Sequence, residues 1–162
     1  MKVISFATFF FLIVAGILVL VGQIGLLKGK KPSDIGIQQG RLKPPSISPN
    51  SVSSQADLYP GHPQHDYAKI APFSFSGDPG KAIQKIEEIL KSTEGTTIVV
   101  RAPDYLYAQC STRVMRFTDD LEFWLDPSAG VIHVRSASRL GRKDFNVNRA
   151  RVESIRAQFE KN

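Results

Sequence analysis

The stretch "LEFWLDPSAGVIHVRSAS", residues 121–138, decides the fold. Two runs rich in β-formers flank the turn-forming "PSAG", a hairpin pattern. If residues 127–130 form a four-residue loop, Asp126 lies opposite Val131 and the rest of the register follows. Leu121, Phe123 and Leu125 then share a face with Ser136, Val134 and Ile132. The other face sets Glu122 opposite Arg135, and Trp124 opposite His133, which stacks on it. The expectation for Glu122 and Arg135 is a cross-strand ion pair on a half-exposed face, contributing under about 1 kcal/mol.

Upstream, "TTIVVRA" and "DYLYAQCSTRVMRF" supply further strands, parted by Pro103, with Cys110 read as a core residue. Before them, "GDPGKAIQKIEEILKS" carries Asp78 as helix cap, Pro79 at the first helical position, and Ala82, Ile83, Ile86, Ile89 and Leu90 at helical spacing. Downstream, "NVNRARVESIRAQFEK" returns to helical period through Val152, Ile155 and Phe159, with Asp144, Asn146 and Asn148 as available caps. The expected class is α+β over residues 68–162: two layers, an antiparallel sheet of three or four strands with two helices, preceded by an N-terminal membrane-anchor helix.

Residues 1–31 form the expected anchor with a basic flank. From Val3 to Leu27 no residue is charged, and the run exceeds the roughly 20 apolar residues that cross a hydrocarbon core. The competing signal peptide would have an apolar region of only about 7 to 15 residues and a small-x-small cleavage site, and no convincing site precedes Lys28. Lys28, Lys30 and Lys31 would hold the domain in the cytoplasm, whereas a two-residue leader before an apolar run is how export signals begin. The reading leans toward an extracytoplasmic domain on a single-pass anchor, with the bilayer as partner of residues 3–27. Residues 32–67 read as a Pro-rich tether, holding six of the ten prolines, although "SPNSVSS" within it is not random polar sequence. His62 and His65 in "HPQH" lack further ligands, so no metal and no cofactor is expected.

The net charge of +6 over 162 residues is concentrated at the two ends. "RSASRLGRKDFNVNRAR", residues 135–151, holds five arginines and a lysine. Arg139 falls roughly 13 Å along the strand from Arg135. Beyond it a helix start beside Arg139, Arg142 and Lys143 has the parts of an anion site, because backbone amides and guanidinium groups both donate to oxyanions. Alternatively these arginines pair with Asp119, Asp120 and Asp144 and lock the strand-to-helix corner.

The run "TRVMRFTDDLEFWLDPSAGVIHVRSASRLGRKDFNVNRARVESIR", with "SPNSVSSQA" upstream, resembles domain of unknown function 1499, a family of bacteria and photosynthetic eukaryotes. The resemblance implies a fold and no established activity. It marks Asp119, Asp120, Arg135, Ser136, Ser138, Arg139, Asp144, Asn148, Arg149 and Arg151 as recurring polar positions. Family members often carry cysteines where this chain has Ser46 and Ser51, and commonly glycine at Asn146, where asparagine is the next-best residue for a positive φ.

The candidate ligand residues are therefore Arg135, Ser136, Ser138, Arg139, Arg142, Asn148 and Arg149, and the structural polar cluster is Asp119, Asp120, Glu122, Asp144 and Arg151. The leading reading is a non-catalytic membrane-anchored domain that binds an anionic small molecule or a membrane-protein partner through this corner. The alternative is an enzyme of unknown reaction built on the Asp119, Asp120, arginine and serine cluster, for which no general base stands nearby in sequence. Nucleic-acid binding is disfavoured by the anchor and by the lack of aromatics among the surface charges.

Overall fold

Strands β5 (Thr118–Asp126) and β6 (Val131–Ser138) pair with Asp126 opposite Val131, Glu122 opposite Arg135 and Trp124 opposite His133. The turn is set by Asp126, whose Oδ1 accepts from the amides of Ser128 and Ala129, and by Gly130 at a φ of 67°. The computed structural model describes residues 5–161.

Around this hairpin the chain builds one antiparallel sheet. Strands β4 (Tyr105–Ser111) and β3 (Thr96–Arg101) extend it beyond β5, while β1 (Ser51–Ser53) and β2 (Phe73–Ser74) pair with β6. The sheet thus has six strands, where three or four were expected. The two additional strands are three and two residues long, too short for alternation to register. Long β6 supplies the open edge that orders them.

Helices α3 (Pro79–Ser92) and α4 (Val147–Phe159) cover one face of the sheet; α1 (Phe6–Gln23) and the single turn α2 (His65–Ala68) bring the helix count to four among the described residues. Asp78 caps α3 as its sequence anticipates, accepting from the amide of Lys81 at 3.1 Å. Ile83, Ile86, Ile89 and Leu90 of α3 and Val152, Ile155 and Phe159 of α4 join Leu121, Phe123, Leu125, Ile132 and Val134 in the main core, with Cys110 among them. Phe73 packs edge-on against Phe123 and Phe159, with ring centroids 5.5 and 5.6 Å away.

The second face is covered as well, and by chain expected to be loosely packed. Leu42 is buried with Tyr105 and Tyr107, and Ile35, Ile37, Ala102 and Trp124 pack against them. Val52 enters the main core. The prolines of residues 32–67 do favour extended backbone. Extended chain carrying Ile35, Ile37, Leu42 and Val52 nevertheless packs on the sheet instead of running free.

Helix α1 has a mean hydropathy of 2.4 and is 6% buried, so by length and composition it can cross a membrane.

Candidate functional site

The strand period of two places the polar residues of the hairpin on opposite faces. On the face covered by residues 35–42 lie Asp120, Glu122, Arg135 and Arg139, with Tyr105, Tyr107 and Gln109 from β4. On the helix face lie Asp119, Ser136 and Ser138, reached by Asn148 and Arg151 of α4. The sequence-predicted ligand residues therefore do not share one pocket: Arg135 and Arg139 lie on one face, Ser136, Ser138 and Asn148 on the other, and Arg142 and Arg149 outside both clusters.

On the first face, Arg139 donates from Nη2 at 2.7 Å and from Nε at 3.1 Å to Asp120, which also accepts the Tyr107 hydroxyl at 2.7 Å. Tyr107 in turn accepts from Arg139 and from Gln109, each at 3.0 Å. The two charged side chains are 5% and 2% exposed. Farther along, Arg135 Nη1 stands 3.5 Å from Glu122 Oε2, and its Nε donates to the carbonyl of Pro44 at 3.3 Å. Glu122 Oε1 accepts the Tyr105 hydroxyl at 2.7 Å and the Gly36 amide at 2.9 Å, while Oε2 has no hydrogen-bond partner among the described residues.

The half-exposed setting expected for this pair is thus corrected, because Arg135 is 3% exposed and Glu122 fully buried. The covering segment sits on them: Gly36 and Pro44 bracket Leu42, and their backbones complete the polar contacts. Burial pushes the Glu122 carboxyl above its usual range, with Arg135 and Tyr105 opposing, and pushes the Tyr105 hydroxyl up too. A pair so desolvated contributes specificity more readily than net stability.

On the helix face, Arg151 Nη2 donates to Asp119 at 2.6 Å, and its Nη1 donates to Ser136 and to Asn148 Oδ1 at 3.0 and 2.8 Å. Asn148 is fully buried and saturated. Its Oδ1 accepts from Ser136 Oγ, and its Nδ2 donates to the Asn50 carbonyl, to Ser138 Oγ and to Asp144 Oδ2. Asp144 caps α4 by accepting the amides of Asn146 and Asn148, and it also accepts the Tyr67 hydroxyl. Although burial raises its carboxyl, the bonds from Tyr67 and Asn148 outweigh that and hold it below the usual range.

Arg149, half-buried, donates to the carbonyl of Tyr67 at 2.6 Å, whereas Arg142 and Lys143 are exposed on the loop after β6. Sequence reasoning missed Asn50, Tyr67, Tyr105 and Tyr107. For Asn50 a signal existed in "SPNSVSS": the segment threads beside β6, Asn50 accepting from the Ser138 amide and Ser54 Oγ accepting from the Val134 amide. His133 stacks on Trp124 with centroids 5.2 Å apart. Among the described residues, no group of three or more His, Cys, Asp or Glu could hold a metal ion.

Comparison with curated proteins gives no match. The match to a family model spans the covering segment from Arg41, the SPNSVSS strand, the whole sheet and both packed helices, ending at residue 159. Apart from Gly36, the residues of the two polar clusters lie within the match, and the chain belongs to the family described as protein of unknown function DUF1499, over residues 41–159.

Proposed function

We propose that the protein is a membrane-anchored, non-catalytic domain that holds an anionic group, carried by a small molecule or by a membrane-protein partner, through Arg142, Lys143 and Arg149. The observation that carries this reading is the occupation of the other arginines: Arg135, Arg139 and Arg151 each face a buried or nearly buried carboxylate. Their charge is spent on the fold, whereas Arg142 and Lys143 are exposed and Arg149 meets only a backbone carbonyl, so these three keep charge for a ligand. The separation of Asp119 from Asp120 by the sheet removes the support for an enzyme that would use both.

Anchoring is supported by the last turn of α1, where Gln23 Nε2 donates to the carbonyl of Val114 at 2.8 Å. That bond ties the end of α1 to the loop between β4 and β5 and supports an uncleaved anchor.

The test is titration of isotope-labelled full-length protein, in neutral detergent micelles, with inorganic phosphate. Saturable amide shifts over residues 140–149, abolished in the Arg142→Gln/Lys143→Gln double variant, are expected. Linear, unsaturable shifts, or equal shifts in the variant, would overturn the reading.

A further inference from the structure

The end of the sheet beside α1 combines exposed apolar side chains with a one-sided charge. The loop from β4 to β5 touches the last turn of α1: Gln23 Nε2 donates to the carbonyls of Arg113 and Val114, and Arg116 Nε donates back to Gln23 Oε1 at 3.4 Å. Gly22 lies against the backbone of Met115 so closely that a Cβ there would stand 2.6 Å from its carbonyl oxygen. At the same sheet end the Arg139 amide donates to the Thr118 carbonyl, and Gly29 abuts Arg139 and Leu140. Both loops are therefore fixed at the level where α1 ends.

That level has a physical meaning. Eighteen helical residues span about 27 Å, close to the roughly 30 Å of a hydrocarbon core, so Gln23 of a spanning α1 lies at the headgroup boundary. The 112–117 loop, bonded to Gln23, shares that depth, and the 139–143 loop stands beside it through the Arg139–Thr118 bond and the contact with Gly29. They expose Val114 at 52%, Phe117 at 39% and Leu140 at 42%. Around these stand Arg113, Arg116, Arg142, Lys143, Lys28 and Lys30, all exposed. Residues 24–31, 112–117 and 139–143 contain no acidic residue; Glu94, in the turn before β3, is an exposed acid that lines one cleft with Arg113 and Arg116. Apolar side chains ringed by cations are the composition that settles at an anionic lipid interface.

We infer that this end of the domain lies flat on the bilayer, with Val114, Phe117 and Leu140 in the headgroup–acyl boundary and Arg113, Arg116, Arg142 and Lys143 against anionic phospholipid headgroups. The inference rests on α1 as a membrane anchor, and it names the anionic group held by the corner as a lipid phosphate. Arg135, Arg139 and Arg151, spent on buried or nearly buried carboxylates, leave the loop cations as the ones that face the membrane.

The test is site-directed spin labelling of the full chain in vesicles of phosphatidylcholine and phosphatidylglycerol. The single native thiol, Cys110, is 6% exposed, and labelling of the unsubstituted protein measures its background. Labels go on Val114→Cys and Leu140→Cys, with Ser128→Cys in the opposite turn as the aqueous reference and Ile13→Cys inside α1 as the bilayer reference. Labels at 114 and 140 are expected to be shielded from an aqueous nickel chelate and relaxed by oxygen, while the label at 128 behaves in the opposite way. If labels at 114 and 140 are as aqueous as that at 128 while Ile13→Cys lies deep, the flat placement falls and the anchor stands. If Ile13→Cys is aqueous too, both fall. Shielding accompanied by spin–spin broadening that grows with protein concentration would assign the surface to a second copy of the chain and overturn the lipid assignment.

Discussion

Asp119 and Asp120 are neighbours in the chain, yet each is held by an arginine on a different side of the sheet. Arg151 of α4 reaches Asp119 at 2.6 Å on the helix face, and Arg139 reaches Asp120 at 2.7 Å on the face covered by residues 35–42. The two carboxylates therefore face opposite sides of the sheet, each against its own arginine. They rivet the start of β5 to α4 on one side and to the end of β6 on the other.

Removing either partner of the Asp120–Arg139 pair is expected to destabilise strongly. Asp120→Asn and Arg139→Gln each leave a charge with little solvent, at a cost of about 3 kcal/mol or more. The double variant should lose less than the sum of the two, because the second substitution relieves the charge stranded by the first. Thermal melts of the three variants check this, and fully additive losses would show that the two residues act independently.

Acid should erode the cap of α4. The Asp144 carboxyl titrates below its usual range in the folded protein, since the bonds from Tyr67 and Asn148 outweigh burial. Its contribution is present above the ordinary carboxylate pKa and is lost as pH falls through the lower folded value. Glu122, raised by burial, has the opposite sign: its contribution is present at low pH and is lost as pH rises through the folded value. The gap in Tm between the protein and Asp144→Asn should hence be widest near neutrality and close in acid, with Tyr67→Phe narrowing it by removing one donor. A gap independent of pH would contradict the assignment.

Asn146 occupies left-handed backbone at a φ of 66°, directly after Phe145 at 52°. Glycine adopts this conformation without steric cost, whereas a β-branched residue does not. Asn146→Gly should leave the melting midpoint unchanged or slightly raised, and Asn146→Val should lower stability by about 1 to 2 kcal/mol, the cost of a left-handed residue. Calorimetry of the two variants reads this directly; equal midpoints would mean that the loop relaxes to another conformation.

Much of the hairpin was legible because its determinants are local. A four-residue loop and a side-chain period of two fix which residue faces which across β5 and β6, and Asp78 with Pro79 fixes where α3 begins. The positive φ at Asn146 could likewise be anticipated from the residue type alone. The strand count could not, since β1 and β2 are ordered by the edge of β6 and carry no pattern of their own.

What tertiary structure alone decided was the environment of each charge. Gly36 meets Glu122 across 86 residues of chain, Pro44 meets Arg135 across 91, and Asn50 meets Asn148 across 98. No local period reports such contacts, so an ion pair expected in half-exposed surroundings is instead buried against the backbone of Gly36 and Pro44, and arginines that resembled one ligand site are divided between two faces of a sheet. The sequence by itself determined the register and the sign of the charges, which depend on chain geometry over a few residues. Burial, and with it the choice between a charge that binds and a charge that holds the fold, depends on which distant segment lies on top.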